Sequence, residues 1–558
     1  MIGGLHLAVI SLCCFGYGVM EREYQWRQGY YHDMPIDHFG SPSSAAGTFH
    51  LRYLVNDTWW DPNGGPIFFC PGSEGAIEEF AEHTGLMWEW AREFRAMLVF
   101  AEHRFYGQTL PYGNLSYEMP YLKMMTAEQA MEDYATLLTW LKNNVTGATN
   151  SSVISFGGSY GAMLSAWMRL KYPNIIQGAI ASSAPIRQLI GGDTPCWAYG
   201  ERTTLTYENS APGCVDAIRK TTEIVRNRLK TDAGREWLNE HFNMCNSTQI
   251  RDGPYADIIL YRISNAWQYM AMYDYPYPTD FITPLPAWPV KEACKLLTAE
   301  AKDDDAAVMN LFNAVSIYYN FTGQLQCFSL RPNSSNDYDK NWVYQTCTEL
   351  AFRLCLNESD ILEDHPWDEK RYYNRCSNAL GSEARYDYLS KKYGVEKLKN
   401  ATNIIFSNCQ LDPWYSSGIT QDQLKGADPS LVVIDIPNAA HHYDLRPSHP
   451  NDTKEIIEAR DRMRKIVHGW LVDQTKADKR GESYEWRTEI YDGMPINHFS
   501  SANGTFSVRY LINDTWWNSN GGPIFFCTGS EGDIEEFAAY NASITGDTRT
   551  ANTVTVLL

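Results

Sequence analysis

The sequence predicts an α/β fold: a mostly parallel sheet covered by helices, interrupted by a helical insertion and followed by the start of a second copy. Three observations carry this reading. Short apolar strands alternate with helical stretches over residues 24–192 and again over 396–475. Between them, residues 193–395 are helical in pattern and hold a cluster of cysteines. Residues 484–540 then repeat the opening stretch of the chain.

Residues 1–18 form a short apolar run closed by small residues, which predicts a signal peptide. The run is too short to span a bilayer comfortably, and no other stretch is apolar for long enough. N-x-S/T acceptors recur from Asn56 and Asn114 to Asn513 and Asn541, a density that suits secretion. The formal charge of −20 and pI of about 5.1 argue against a nucleic-acid partner, because no basic stripe is present.

In the first α/β part, residues 49–55 alternate as a half-buried strand does. Residues 65–70 form a short apolar strand, followed by the turn Pro71-Gly72-Ser73-Glu74-Gly75 and a helical stretch to Phe94. Residues 97–102 make the next strand, and Thr126 N-caps a helix that runs to Asn144. Residues 151–156 and 175–181 read as buried strands on either side of the helical stretch 162–171.

In the insertion, residues 221–230, 256–272 and 305–319 read as helices. Cys196, Cys214, Cys245, Cys294, Cys327, Cys347, Cys355 and Cys376 form an even set without a C-x-x-C pair, which favours disulfides over zinc. Cys70, Cys409 and Cys527 lie outside it and read as buried thiols. Strands resume at 403–407 and 431–436, and the amphipathic stretch 453–475 closes the domain.

A linker over 476–483 leads to the second copy. Asn56-Asp57-Thr58-Trp59-Trp60 recurs as Asn513-Asp514-Thr515-Trp516-Trp517. The copy stops near Tyr540, before any equivalent of Ser159, so it is not expected to catalyse anything; the tail 541–558 matches nothing earlier.

The chemistry centres on Gly157-Gly158-Ser159-Tyr160-Gly161. A G-x-S-x-G turn between a strand and a helix is the setting of a nucleophile elbow. Asp412 follows the strand 403–407, and His441 follows the strand 431–436. Ser, Asp, His is the chain order of α/β-hydrolases. A serine hydroxyl is a weak nucleophile until an imidazole takes its proton, and a buried carboxylate holds that imidazole in the right tautomer. Asp435 and Asp444 are rival acids, and His442 is the main rival base. The oxyanion donors are expected at the Tyr160 amide and in the turn at Gly72 and Ser73. Glu74 is a candidate for holding a substrate's amino terminus. No metal or cofactor is needed.

The stretches around Ser159, around Asp412-Pro413-Trp414 and over Ala440-His441-His442-Tyr443-Asp444-Leu445-Arg446 resemble the lysosomal prolyl carboxypeptidase and dipeptidyl peptidase II family of serine peptidases. So do Phe100-Ala101-Glu102-His103-Arg104-Phe105-Tyr106-Gly107 and Asp274-Tyr275-Pro276-Tyr277-Pro278. The resemblance implies an α/β-hydrolase fold with an inserted, disulfide-linked helical cap, to which the repeat read above adds a truncated C-terminal partial copy. It implies Ser159, Asp412 and His441 as the triad, with Met163 and Trp414 in a proline-accepting pocket. It implies the pairs Cys196–Cys355, Cys214–Cys294, Cys245–Cys327 and Cys347–Cys376. It also implies a secreted or lysosomal serine exopeptidase acting on peptides, with a second copy of the chain as a further candidate partner.

Release of N-terminal dipeptides ending in proline or alanine is the expected activity, and removal of a C-terminal residue after proline is the alternative. A catalytically silent peptide-binding homologue is a third reading, motivated by departures from the family. Ala76 stands where the family has Asp, Glu82-His83 replaces Asn-Asn, and Cys409 and Ser416-Ser417 replace glycines.

Overall fold

A computed structural model describes residues 24–40, 47–251, 254–330, 337–357, 359–362, 366–380, 386–480, 487–495, 505–513, 524–527 and 554–557. The expected signal peptide lies outside these residues. The chain divides into two compact units, Met1–Arg464 and Lys465–Leu558.

The first unit is built on strands β1 (Arg27–Pro35), β2 (Thr48–Asn56), β3 (Ile67–Pro71), β4 (Met97–Ala101), β5 (Val153–Gly158), β6 (Ile176–Ser182), β7 (Ile404–Cys409) and β8 (Leu431–Ile436). They lie in the order β1-β2-β4-β3-β5-β6-β7-β8. All pairings from β4 through β8 are parallel. The first two pairings, β1 with β2 and β2 with β4, are antiparallel. With a helix following β5, this is an α/β-hydrolase sheet.

The central strands follow from composition. Residues of β3 and β4 are buried throughout, as strands covered on both faces must be, and they read as unbroken apolar runs. Strand β1 is what the sequence reading did not name. Its residues are mostly exposed at the sheet edge, so no apolar alternation marks it. The helical stretch expected up to Phe94 is two helices, Ile77–His83 and Gly85–Phe94, separated at Thr84. Thr126 caps helix Ala127–Asn144 as expected, its hydroxyl accepting the Gln129 amide at 3.1 Å. That helix and Tyr160–Lys171 supply buried residues to one apolar cluster with the sheet.

Between β6 and β7, helices Ala198–Ser210, Cys214–Leu229, Asp232–His241, Pro254–Met272, Pro289–Leu297 and Asp304–Asn320 come first. Helices Asp337–Thr348 and Glu369–Leu380 follow. Disulfides join Cys196–Cys355, Cys214–Cys294, Cys245–Cys327 and Cys347–Cys376. Cys70 and Cys409 are buried thiols. The helical insertion belongs to the same compact unit as the sheet. After β8 comes helix Lys454–Arg480, which continues where a linker from residue 476 was expected.

The second unit has strands β9 (Arg487–Pro495), β10 (Thr505–Asn513), β11 (Ile524–Cys527) and β12 (Val554–Leu557), in the order β11-β12-β10-β9. Strands β9 and β10 repeat the hairpin of β1 and β2 in the same register: Arg487 faces Ile512 as Arg27 faces Val55. Strand β12, from the tail that matches nothing in sequence, takes the place of β4. It pairs antiparallel with β10 and parallel with β11, as β4 does with β2 and β3.

Candidate active site

The turn after β5 is sterically demanding. Ser159 adopts φ 56° and ψ −125°, the strained conformation that lifts a side chain out of a strand-to-helix turn. A Cβ on Gly157 would lie 2.1 Å from the Gly161 carbonyl oxygen, so only glycine fits there. The Ser159 amide donates to the Ser182 carbonyl at the end of β6, at 3.0 Å. Ser159 itself is half-buried at the N-terminus of helix Tyr160–Lys171, where the helix dipole favours negative charge.

Asp412 and His441 meet. The imidazole Nδ1 of His441 lies 2.6 Å from Asp412 Oδ2, and both residues are buried. A carboxylate can only accept, so Nδ1 carries the proton and Nε2 is left as the acceptor. Asp412 Oδ1 accepts the Trp414 amide at 3.0 Å. The backbone of His441 is held by the helical insertion. Its amide donates to the Met272 carbonyl at 3.0 Å, and its carbonyl accepts the Tyr275 hydroxyl at 2.7 Å.

The rivals have other partners. His442 turns through a left-handed conformation, φ 38°, and its amide donates to Ser183 Oγ at 2.9 Å. Its ring packs on Gly158, where an added Cβ would come within 3.0 Å of it, and thereby places the His441 loop beside the elbow. Burial, then the charges of His441 and Arg446, hold the His442 imidazole well below its ordinary value, so it is neutral. Asp435 accepts from Asn408 Nδ2 at 3.1 Å, and Asp444 faces two serines rather than an imidazole.

The turn after β3 requires a correction. The Gly72 amide donates to the Ala101 carbonyl at 2.7 Å, so it is committed to the sheet and cannot also serve an oxyanion. Ser73 is the next amide along, and it is buried. Its hydroxyl donates to Glu74. Burial pushes the Glu74 carboxyl up from its ordinary value against the pull of that hydroxyl, and His441 is close enough to pull it down as well.

Tyr160 follows Ser159, and its phenol is clamped from two sides. His103 Nε2 lies 3.1 Å from the Tyr160 hydroxyl, and Gln345 Nε2 donates to it at 3.2 Å. The His103 Nδ1 proton goes to the Arg104 carbonyl at 2.6 Å, which leaves Nε2 to accept from Tyr160. Burial drives the His103 pKa down to about 4, in keeping with a neutral ring. Sequence reasoning quoted His103 only within a motif and passed over Gln345, which reaches the elbow from helix Asp337–Thr348 in the insertion.

The expected pocket residues separate. Met163 is fully buried in the apolar core, so it cannot line an open pocket. Trp414 is half-buried, with Tyr199 edge-on at 4.6 Å and Phe352 at 5.3 Å, which makes an aromatic corner next to Asp412. On the other side His83, one of the departures, approaches Asp280 at 3.4 Å. Phe281 lies against His83 and His442, with the Arg446 guanidinium 4.1 Å from its ring centre.

Comparison with known proteins identifies the family. A family model described as serine carboxypeptidase S28 matches residues 34–463. Lysosomal Pro-X carboxypeptidase of Bos taurus is 39% identical over 446 residues, covering 79% of this chain and 88% of its own length. The Homo sapiens protein of that name is 37% identical, with the same coverage of 79% and 88%. Prolyl carboxy peptidase like protein 5 of Caenorhabditis elegans is 35% identical over 81% of this chain and 92% of its own. The chain therefore belongs to the serine carboxypeptidase S28 family and is a serine exopeptidase.

Proposed function

We propose that the chain hydrolyses short peptides beside proline through an acyl-enzyme, with Ser159 as nucleophile, His441 as base and Asp412 orienting the imidazole. The observation that carries this is the 2.6 Å contact between buried His441 Nδ1 and Asp412 Oδ2, in a loop packed on the elbow. Ser159 Oγ attacks the scissile carbonyl while His441 Nε2 takes its proton. The amides of Tyr160 and Ser73 hold the oxyanion, and the proton passes to the leaving amine. Water, activated by the same imidazole, then hydrolyses the ester. Trp414 and its aromatic neighbours offer a flat apolar wall suited to a proline ring.

Removal of the C-terminal residue after a penultimate proline is the favoured activity. The relatives are named Pro-X carboxypeptidases. Arg446 also places a buried cation beside His442, and its Nε has no hydrogen-bond partner among the described residues. A buried guanidinium favours a terminal carboxylate. Dipeptide release is the second reading, favoured by the half-buried Glu74 carboxyl near His441, which suits a free amine. The four disulfide pairs and the relatives' lysosomal names support a secreted or lysosomal location.

A fluorophosphonate probe is expected to label the protein but not Ser159→Ala. Absence of labelling in both would leave a peptide-binding homologue. Cleavage of an Ala-Pro-X peptide should survive blocking of its amine; loss of cleavage on blocking would exclude the carboxypeptidase reading in favour of dipeptide release.

A further inference from the structure

We propose that Asp444 is a positioning residue: one buried carboxylate that ties the ends of β6 and β7 to the turn after β8 and through them places Ser159, Asp412 and His441. The proposal rests on the triad reading above. Asp444 lies in the turn Tyr443–Leu445, just after His441, and is fully buried. Its Oδ1 accepts the Ser182 hydroxyl at 2.5 Å, and its Oδ2 accepts the Ser407 hydroxyl at 2.6 Å. The Cys409 sulfur lies 3.9 Å from Oδ1.

Each of those partners leads to a triad member or to the residue beside one. Ser182 ends β6, and its carbonyl takes the Ser159 amide at 3.0 Å. Cys409 ends β7, and its carbonyl takes the Asp412 amide at 3.2 Å. Ser407, also on β7, accepts the Ser183 amide at 2.8 Å through its carbonyl, and Ser183 Oγ in turn accepts the His442 amide at 2.9 Å. From the outside, Arg460 fixes the same turn by its backbone. It donates to the carbonyls of Asp444 at 3.0 Å, Tyr443 at 2.9 Å and Arg446 at 3.0 Å. The turn is thus held outside by a guanidinium on its carbonyls and inside by its own carboxylate.

The chemistry of the group matters. A carboxylate only accepts, so it can take two hydroxyls and a thiol at once. An amide keeps one acceptor and presents a donor in place of the other, so one serine hydroxyl can no longer donate there and must reverse its role to accept, which changes the bonding that sets the turn. The carboxylate does not touch the imidazole, because Asp412 holds that position at 2.6 Å. Its effect passes through backbone placement, to which acyl transfer is sensitive: a shift of about 1 Å can cost about a hundredfold in rate.

The test compares wild type, Ser159→Ala, Asp444→Asn, Asp444→Glu and Ser407→Ala. Each is measured for melting temperature, for the rate of fluorophosphonate labelling, and for kcat and KM on an Ala-Pro-X peptide. Labelling of wild type and not of Ser159→Ala checks the triad reading separately. Asp444→Asn, at a temperature where it is fully folded, is expected to label and turn over about ten- to a hundredfold more slowly, with KM changed less than about twofold. Ser407→Ala should show a smaller loss of the same kind, and Asp444→Glu should not restore the rate. The proposal is overturned if folded Asp444→Asn keeps its labelling rate within about twofold, or if its loss follows only the unfolded fraction.

Discussion

Asp412 and His441 lie 29 positions apart in the chain and meet because β7 and β8 are parallel neighbours whose ends open on one side of the sheet. The acid's task is to accept from Nδ1, and an amide can instead donate and impose the wrong tautomer. Asp412→Asn should therefore lower kcat by about 10⁴-fold while leaving the fold intact, as read from labelling rate and circular dichroism. His103 makes a separate prediction. Its pKa in the folded protein is about 4, depressed by burial from an ordinary value of 6.5. An unfolded chain therefore takes up a proton as pH falls through 6.5, while the folded chain does not until near 4. The folded state loses stability across that window and is spared the loss above it. His103→Asn should flatten the dependence of melting temperature on pH between about 7 and 4 relative to wild type. An unchanged slope would show that the ring is not the group responsible.

The elbow is an element-scale device. It needs a strand end, a glycine without a Cβ against Gly161, and a helix whose first amide points at the reacting carbonyl. Gly157→Ala drives a Cβ to 2.1 Å from a backbone oxygen, which cannot rotate away as a side chain could. It should cost at least about 1–3 kcal/mol in thermal or urea unfolding and slow labelling in whatever fraction stays folded. The β12 strand shows the complementary case. Val554-Thr555-Val556-Leu557 matches Met97-Leu98-Val99-Phe100 only at Val556 and Val99, yet it pairs in the same register. Ladder hydrogen bonds on both sides of a strand are made by backbone, and a short run rich in β-branched residues can supply them. Gln345 belongs at this scale too, since it brings helix Asp337–Thr348 onto Tyr160 and so links the insertion to the elbow.

At the scale of the whole molecule, the three residues of the proposed triad and the family match to residue 463 lie in the first compact unit. A chain ending at Arg480 should keep its labelling rate and kcat/KM within about twofold of the full chain, and a larger loss would give the second unit a part in the site. The sequence by itself determined the sheet's buried strands, the elbow and the order of Ser159, Asp412 and His441. Each depends on local rules: apolar runs, glycine sterics and the placement of polar residues just after strands. It also determined the repeat, which is identity and needs no folding. Only the tertiary structure decided between Asp412 and Asp444 as the imidazole's partner, because both follow apolar strands and the choice depends on where the chain returns. The same holds for Gly72, a turn glycine whose amide turns out to be bound to Ala101, and for Met163, which is sealed into the core. Hydrogen-bond partners and exposure are set by residues distant in sequence, so no local pattern encodes them.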